Sequence, residues 1–531
     1  MTDITARITA RARPRSMVAP RWMIAAAMLV TAAIGLCWQT LATTGEPTHA
    51  VVWGSLGLTA YSASLLCLAA GGQGKALGLG RWRFGSWTLL WYGISFGLAT
   101  LTWVQPQMGT SAEISLSSVL RALWLVAVGM TLWVLGYFVR PALPARRFGN
   151  RIMGRLSLRF GPEVRSPLAP WILYLIGTAA RVASAATTGL FGYVGNVQSA
   201  VTTASSYQQL LSILTFCAPL AVAAAALQVY RERMPGARVT LIVLFVTEIA
   251  FGAAAGGKQS FIITIIAVAI PFTAARRRVH KDLLTFTALA LTGLTFLLIV
   301  VPFNQAYRST ARGTSGTLSV RQALDTAPSV LAQTIGSGNA IGALSSSATF
   351  LLTRIGEIDS PAIIMQRTPS EIGFVSPVQL VTAPIVTLVP RAVWPGKPIL
   401  DPGYKFSQTY YELPTTVYTS SAITPVGDLY RHGGWIPVIV GMFLLGCGTR
   451  FLDDVMDVYN NPHSIFLFLL LFPSLVKQEN DWIGMLAELP GTLLIWLFAI
   501  YLTFRRERPP RSPSRRGPGK KPDSDVGRPA T

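Results

Sequence analysis

Charge is scarce in this chain. Only 13% of its 531 residues are Asp, Glu, Lys or Arg, about half of the roughly 25% found in soluble domains. With 51% hydrophobic residues and a mean hydropathy of +0.46, a single soluble core is excluded, as is disorder outside the chain ends. Cysteine is also rare. Cys37, Cys67, Cys217 and Cys447 each sit inside an apolar stretch, so neither a disulfide framework nor a zinc site is expected. The 47 glycines show no triplet period, which excludes a collagen-like chain. Acid is the scarcer sign: 23 Asp and Glu against 45 Lys and Arg give a net charge of +22. The bases cluster where apolar runs end rather than on one face, so nucleic acid is not an expected partner.

What is present is a series of apolar segments, each near the 20 or so residues that cross a bilayer as a helix. They are 22–42, 50–70, 84–104, 118–139, 168–188, 207–229, 239–256, 259–275, 282–302, 433–451, 464–477 and 485–504. The expected fold class is therefore all-α, a polytopic membrane protein with about 12 transmembrane helices and a long external loop carrying short amphipathic helices. If residue 1 is cytoplasmic, the inside segments hold 32 of the 45 Lys and Arg residues, and external segments 43–49, 105–117 and 189–206 hold none. That asymmetry predicts a multi-pass protein of the cytoplasmic (inner) membrane with both termini cytoplasmic. The first apolar run lacks a small-x-small cleavage site and is expected to remain as an uncleaved helix. The organisation expected is a basic cytoplasmic N-terminus (1–21), spans one to nine (22–302), an external loop holding the active-site region (303–432), spans ten to twelve (433–504) and a disordered basic cytoplasmic tail (505–531).

The remaining basic residues, among them Arg121, Arg308, Arg354, Arg391, Lys397, Lys405 and Lys477, lie mostly on the expected external side, where topology alone disfavours them. Segment 303–432 is far longer than an ordinary connection. Its stretches 318–335, 340–355 and 376–390 are apolar enough for short helices lying on the membrane surface. Tyr404, Tyr410, Tyr411 and Tyr418 offer ring faces suited to a sugar.

Three constellations carry chemistry. Gly256-Gly257-Lys258-Gln259-Ser260 forms a turn opening a span, so free backbone N–H groups and Lys258 suit a phosphate. Gln259 stands where a nucleotide-binding P-loop needs a magnesium-holding hydroxyl, which excludes that motif. Pro390-Arg391-Ala392-Val393-Trp394-Pro395-Gly396-Lys397-Pro398 holds two cations on a stiff turn, which lowers the ordering cost of gripping a diphosphate. Gly427-Asp428-Leu429-Tyr430-Arg431-His432-Gly433-Gly434 gathers an acid, a phenol and an imidazole at a span mouth. Arg308 and Arg354 add cations nearby, and Glu357 and Asp359 follow Arg354 as a base or as its ion-pair partners. Arg181 and Glu248 fall inside spans five and seven, where charge is costly and functional by default. They could equally pair with each other.

The run Pro390-Arg391…Trp394-Pro395…Lys397-Pro398 resembles the PR-x-x-WP-x-KP signature of Wzy-type O-antigen polymerases, the oligosaccharide repeat-unit polymerases. The Gly256–Ser260 turn, Tyr307-Arg308, Asp428-Leu429-Tyr430 and Asp481 are similar in placement, and the likeness covers roughly 240–490. Lys258 stands where that family suggests Arg, and Asp428 where it suggests Glu. The resemblance implies a membrane glycosyltransferase of the GT-C-like kind that polymerises polyprenyl-diphosphate-linked oligosaccharide repeat units on the external face, in cell-surface polysaccharide biosynthesis. It implies no cofactor and no metal. Its substrates would be lipid-linked oligosaccharides among the membrane lipids, with a flippase and a chain-length regulator as candidate partners. Lys258, Arg308, Arg354, Arg391 and Lys397 are the expected diphosphate ligands. Asp428, then Glu357, then His432 are the expected bases. The rival readings are a transporter or flippase of lipid-linked glycans, which Arg181 and Glu248 would suit, and a ligase-like enzyme making a single transfer.

Overall fold

The computed structural model describes residues 20–72, 82–104, 114–139, 143–188, 190–191, 194–195, 207–255, 258–275, 351–389, 402–414, 420–477 and 479–506, with isolated residues 291, 329, 348, 349 and 394. The protein is a predominantly helical membrane protein. Among the described residues seven helices are long and apolar enough to cross a bilayer: Met23–Ala42, Pro47–Leu68, Leu116–Phe138, Leu210–Glu232, Ala237–Ala254, Trp435–Val455 and Trp482–Thr503. Gln259–Ala275 and Pro462–Val476 are shorter apolar helices. Every expected span except 282–302, which lies almost wholly outside the described residues, falls on helical structure.

Helices α1 (Pro20–Ala42) and α2 (Pro47–Gly72) form a hairpin. Its turn closes where the Glu46 N–H donates to the Thr43 carbonyl at 2.9 Å. The next segment starts as α3 (Phe84–Tyr92), widens to a π turn over Gly93–Gly97 and tightens to a 3-10 helix over Leu98–Val104. Close approach to α2 accompanies this break. A Cβ on Gly97 would sit 2.3 Å from Thr59 Oγ1, and the Thr59 hydroxyl donates to the Gly93 carbonyl at 3.4 Å.

Helix α4 (Leu116–Phe138) is followed by α5 (Leu143–Arg159), strand β1 (Phe160–Val164), α6 (Ala169–Thr188) and a two-residue pair, β2 (Leu190–Phe191) with β3 (Val194–Gly195). Then come α7 (Gln208–Leu214), α8 (Cys217–Leu227) ending in a π turn over Gln228–Glu232, α9 (Ala237–Ala254) and α10 (Lys258–Ala275). Within the expected long loop lie α11 (Asp359–Arg367), α12 (Gln379–Leu388), α13 (Pro402–Tyr410) and α14 (Pro425–Arg431). Helix α12 leaves Val381 and Ile385 exposed, as a surface-lying helix would. The chain finishes with α15 (Trp435–Val455), α16 (Pro462–Val476), α17 (Trp482–Thr503) and strand β4 (Phe504–Arg506), which pairs antiparallel with β1.

Helices that are apolar all round should be interior, and α8 and α16 are: every residue of α8 is buried, and so is most of α16. Small residues let other helices touch backbone to backbone. A Cβ on Gly136 of α4 would come 2.0 Å from the Phe443 carbonyl oxygen of α15, and one on Gly446 equally close to that of Trp133. This tight α4–α15 crossing fixes the position of α14, just before α15.

The bundle has two ends of different chemistry. The starts of α4, α10, α11, α15 and α17 share one end, tied by Ser115 N–H to Gln366 at 2.9 Å and Trp482 N–H to Asp428 at 2.9 Å. The start of α3, the ends of α4, α15 and α17, helix α5 and the β1–β4 pair share the other.

Candidate functional site

The candidate site lies at the first of these ends and has two halves. Helix α14 begins at Thr424, whose hydroxyl accepts from the Gly427 N–H at 3.3 Å, with Pro425 in the first turn. Such a cap and proline set a helix start sharply. Asp428 follows on the first turn and is fully buried. Its Oδ1 accepts from Arg431 Nε at 2.6 Å and its Oδ2 from the Trp482 backbone N–H at 2.9 Å. Burial pushes the Asp428 carboxyl upward, but the Arg431 guanidinium and the His432 ring outweigh it and hold the group below the usual carboxylate range.

His432 is fully buried one turn further on. Its Nδ1 lies 2.8 Å from the Asp428 carbonyl oxygen and 3.3 Å from Asp428 Oδ1. Both are acceptors, so Nδ1 carries the proton. That leaves Nε2 as the free nitrogen, buried and without a partner among the described residues. Asp428 thus orients and polarises His432 while its own oxygens are engaged.

The second half centres on Glu357, whose N–H donates to the Ser95 carbonyl at 3.2 Å, inside the π turn. Such turns often mark functional positions. Glu357 is buried. Burial, then the Glu479 and Asp359 carboxylates, raise its carboxyl well above the usual range against Lys477 and Arg354. Asp359 opens α11 and is pushed up by burial to about 6. Burial and then these two acids push the Tyr411 phenol well above its usual range. Arg354 is exposed at the edge of the group.

The short turn between α16 and α17 joins the halves. Lys477 pairs with Glu479 and reaches Gln259, the second residue of α10, at 3.5 Å. Asp481 caps α17, accepting from the Gly484 N–H at 3.1 Å. Burial first, and then the Asp428 charge, raise it to about 6.

Of the sequence-derived candidates, Asp428 and His432 come together, as do Arg354 and Glu357. Lys258 opens α10 beside the Lys477–Gln259 contact. Arg308, Arg391 and Lys397 lie outside the described residues, as do Gly256, Gly257 and Tyr418. Arg181 and Glu248 stand apart from the site as a bidentate pair, with Nη1–Oε2 at 2.7 Å and Nη2–Oε1 at 2.5 Å. Tyr410 is interior rather than a sugar platform: it packs on Phe406 with ring centroids 4.7 Å apart and bonds Thr368 at 2.8 Å. Sequence reasoning gave Arg431 no role within its constellation and did not place Glu479 in the site. The available signals were the Asp428–Arg431–His432 spacing on one helical turn and the dense polar run Lys477–Asp481 between two apolar helices. Among the described residues no group of His, Cys, Asp and Glu could hold a metal ion.

No curated protein and no solved structure matches the chain. Residues 182–457, a little over half of the chain, match a family described as a domain of unknown function, DUF8712, and the chain belongs to that family.

Proposed function

We propose that the protein is a membrane glycosyltransferase that polymerises oligosaccharide repeat units carried on polyprenyl diphosphate, with about 12 spans, both termini cytoplasmic and the site on the external face of the cytoplasmic membrane. The observation that carries this reading is the Asp428–His432 pair with a free, buried Nε2, set beside a second group of proton-binding acids and cations. His432 Nε2 takes the proton of an acceptor hydroxyl. The hydroxyl oxygen bonds to the donor's anomeric carbon as the carbon–oxygen bond to phosphate breaks, and the lipid diphosphate departs with the bonding electrons. Asp428 stays ionised and stabilises the imidazolium that forms. Glu357, whose carboxyl is raised well above the usual range by burial and the neighbouring acids, donates a hydrogen bond to the substrate from its protonated form instead of removing a proton. Lys258, Arg308, Arg354, Arg391 and Lys397 grip the diphosphate and stabilise the leaving group. The mutual pairing of Arg181 and Glu248 gives them a structural role, which weakens the transporter alternative.

Purified full chain in proteoliposomes, supplied with polyprenyl-diphosphate-linked repeat units, tests the reading. A ladder of glycan lengths is expected, and Arg391→Ala should lose the long products while remaining inserted. A single addition would instead mark a ligase-like transfer. Movement of the glycan lipid without bond formation would mark a transporter.

A further inference from the structure

At the end of the bundle away from the candidate site, three arginines keep buried donors unmet among the described residues. Asp453, buried near the end of α15, is already committed. The Phe84 N–H donates to its Oδ1 at 2.8 Å; the Gly85 N–H and the Tyr137 hydroxyl donate to its Oδ2 at 3.0 and 2.8 Å. None of those donors is a guanidinium. Arg450, 5% exposed, lies over the Tyr137 ring at 5.3 Å and has Nε 3.2 Å from Asp454 Oδ2. Its Nη1 is buried and has no partner among the described residues.

Arg83, just before α3, also has a buried Nη1 without a partner among the described residues, and it acts electrostatically on both Asp453 and Tyr137. Arg146, near the start of α5, has a buried Nε in the same condition. Helix α5 is laid against α15 at Gly149, where a Cβ would come 2.6 Å from Val455 Cγ2 and 3.1 Å from Phe451 Cζ. An unmet buried donor is costly and uncommon. Arg83 and Arg450 both act on Tyr137, and α5 carries Arg146 to the same end of the bundle; such donors call for an acceptor bearing several oxygens.

Helix α5 indicates which acceptor. It has no acidic residue, and Arg147, Arg151 and Arg155 are exposed on it. Between them Phe148 and Ile152, one turn apart, are 64% and 40% exposed. A basic helix presenting apolar side chains lies in a membrane interface, where anionic headgroups and acyl chains meet.

We propose that Arg83, Arg146 and Arg450 bind the phosphate of an anionic phospholipid headgroup, with Phe148 and Ile152 of α5 seated among its acyl chains. This site is independent of the proposed glycan chemistry.

The test uses the full chain in neutral detergent. Native mass spectrometry follows titration with phosphatidylglycerol, with phosphatidylcholine of the same acyl chains, and with inorganic phosphate. Phosphatidylglycerol should bind about tenfold more tightly than phosphatidylcholine, as expected for charge-assisted bonds. Arg450→Gln should lose most of that preference. Arg146→Gln, in a less buried setting, should lose it too, and it decides the matter if Arg450→Gln does not fold. Equal binding of the two lipids by the unaltered chain would overturn the site, as would an intact preference in folded Arg146→Gln. Displacement of phosphatidylglycerol by inorganic phosphate would overturn the lipid assignment.

Discussion

The two ends of the bundle hold opposite kinds of unusual charge. At one end acids cluster: the carboxyls of Glu357, Asp359 and Asp481 are raised by burial, the last two to about 6, while Asp428 is held below the usual range by Arg431 and His432. At the other end arginines stand out, with Arg83, Arg146 and Arg450 each keeping a buried N–H unmet among the described residues. An arginine remains charged across the accessible pH range, whereas carboxyls raised to about 6, as at Asp359 and Asp481, change charge within it. The first end therefore concentrates titratable acids and the second permanently charged groups. Between them the one bidentate ion pair described at depth, Arg181–Glu248, satisfies itself.

That contrast can be broken at several points. The largest effect is expected from His432→Ala, which should lower glycan transfer by about 10²–10⁴-fold, the usual worth of a general base. Arg151→Gln on the exposed face of α5 should leave the rate unchanged. Comparable losses in the two variants, measured by product ladder in proteoliposomes, would erase the distinction between the ends. Next in size is Glu248→Ala, which strands a partly buried guanidinium and should destabilise by about 3 kcal/mol. The double change with Arg181→Ala should recover most of that in a melting experiment; no recovery would mean that Arg181 has another partner.

A smaller effect follows from the acids. Asp481 binds its proton more tightly folded than unfolded, so its stabilising contribution is full below about pH 4 and lost as pH rises through about 6. Asp481→Asn keeps the helix cap and should melt a few degrees higher than the unaltered chain at pH 7.5, with the gap closing at pH 4.5. A gap of the same size at both pH values would sink the assignment. The smallest effect concerns Lys258: Lys258→Arg should retain more activity than Lys258→Ala if that residue makes a point contact with phosphate.

The helical segments were legible because twenty-residue apolar runs have few alternatives. The charge asymmetry was equally plain, and the chemistry of the Asp428–His432 stretch could be named from residue types alone. The roles within it could not. Asp428 reads as the first choice of base until Arg431 and the Trp482 N–H are seen to occupy its oxygens, and a partner more than fifty residues away has no local signature. The same holds for Asp453, whose three donors come from the start of α3 and the end of α4. Tyr410 shows the converse: an aromatic among polar neighbours looks like a binding face, yet Phe406 and Thr368 draw it inward.

The widened turn at Gly93–Gly97 accommodates one residue more than a regular helix would in the same length. Each residue of an α-helix advances the chain by roughly 100° around its axis. A chain one residue shorter there could run straight, but its two halves would be rotated against each other by about that angle. The Ser95 carbonyl would then face away from the Glu357 amide, while Phe84 and Gly85 stayed clasped by Asp453. The surplus residue thus sets the angular phase between the two ends of the molecule.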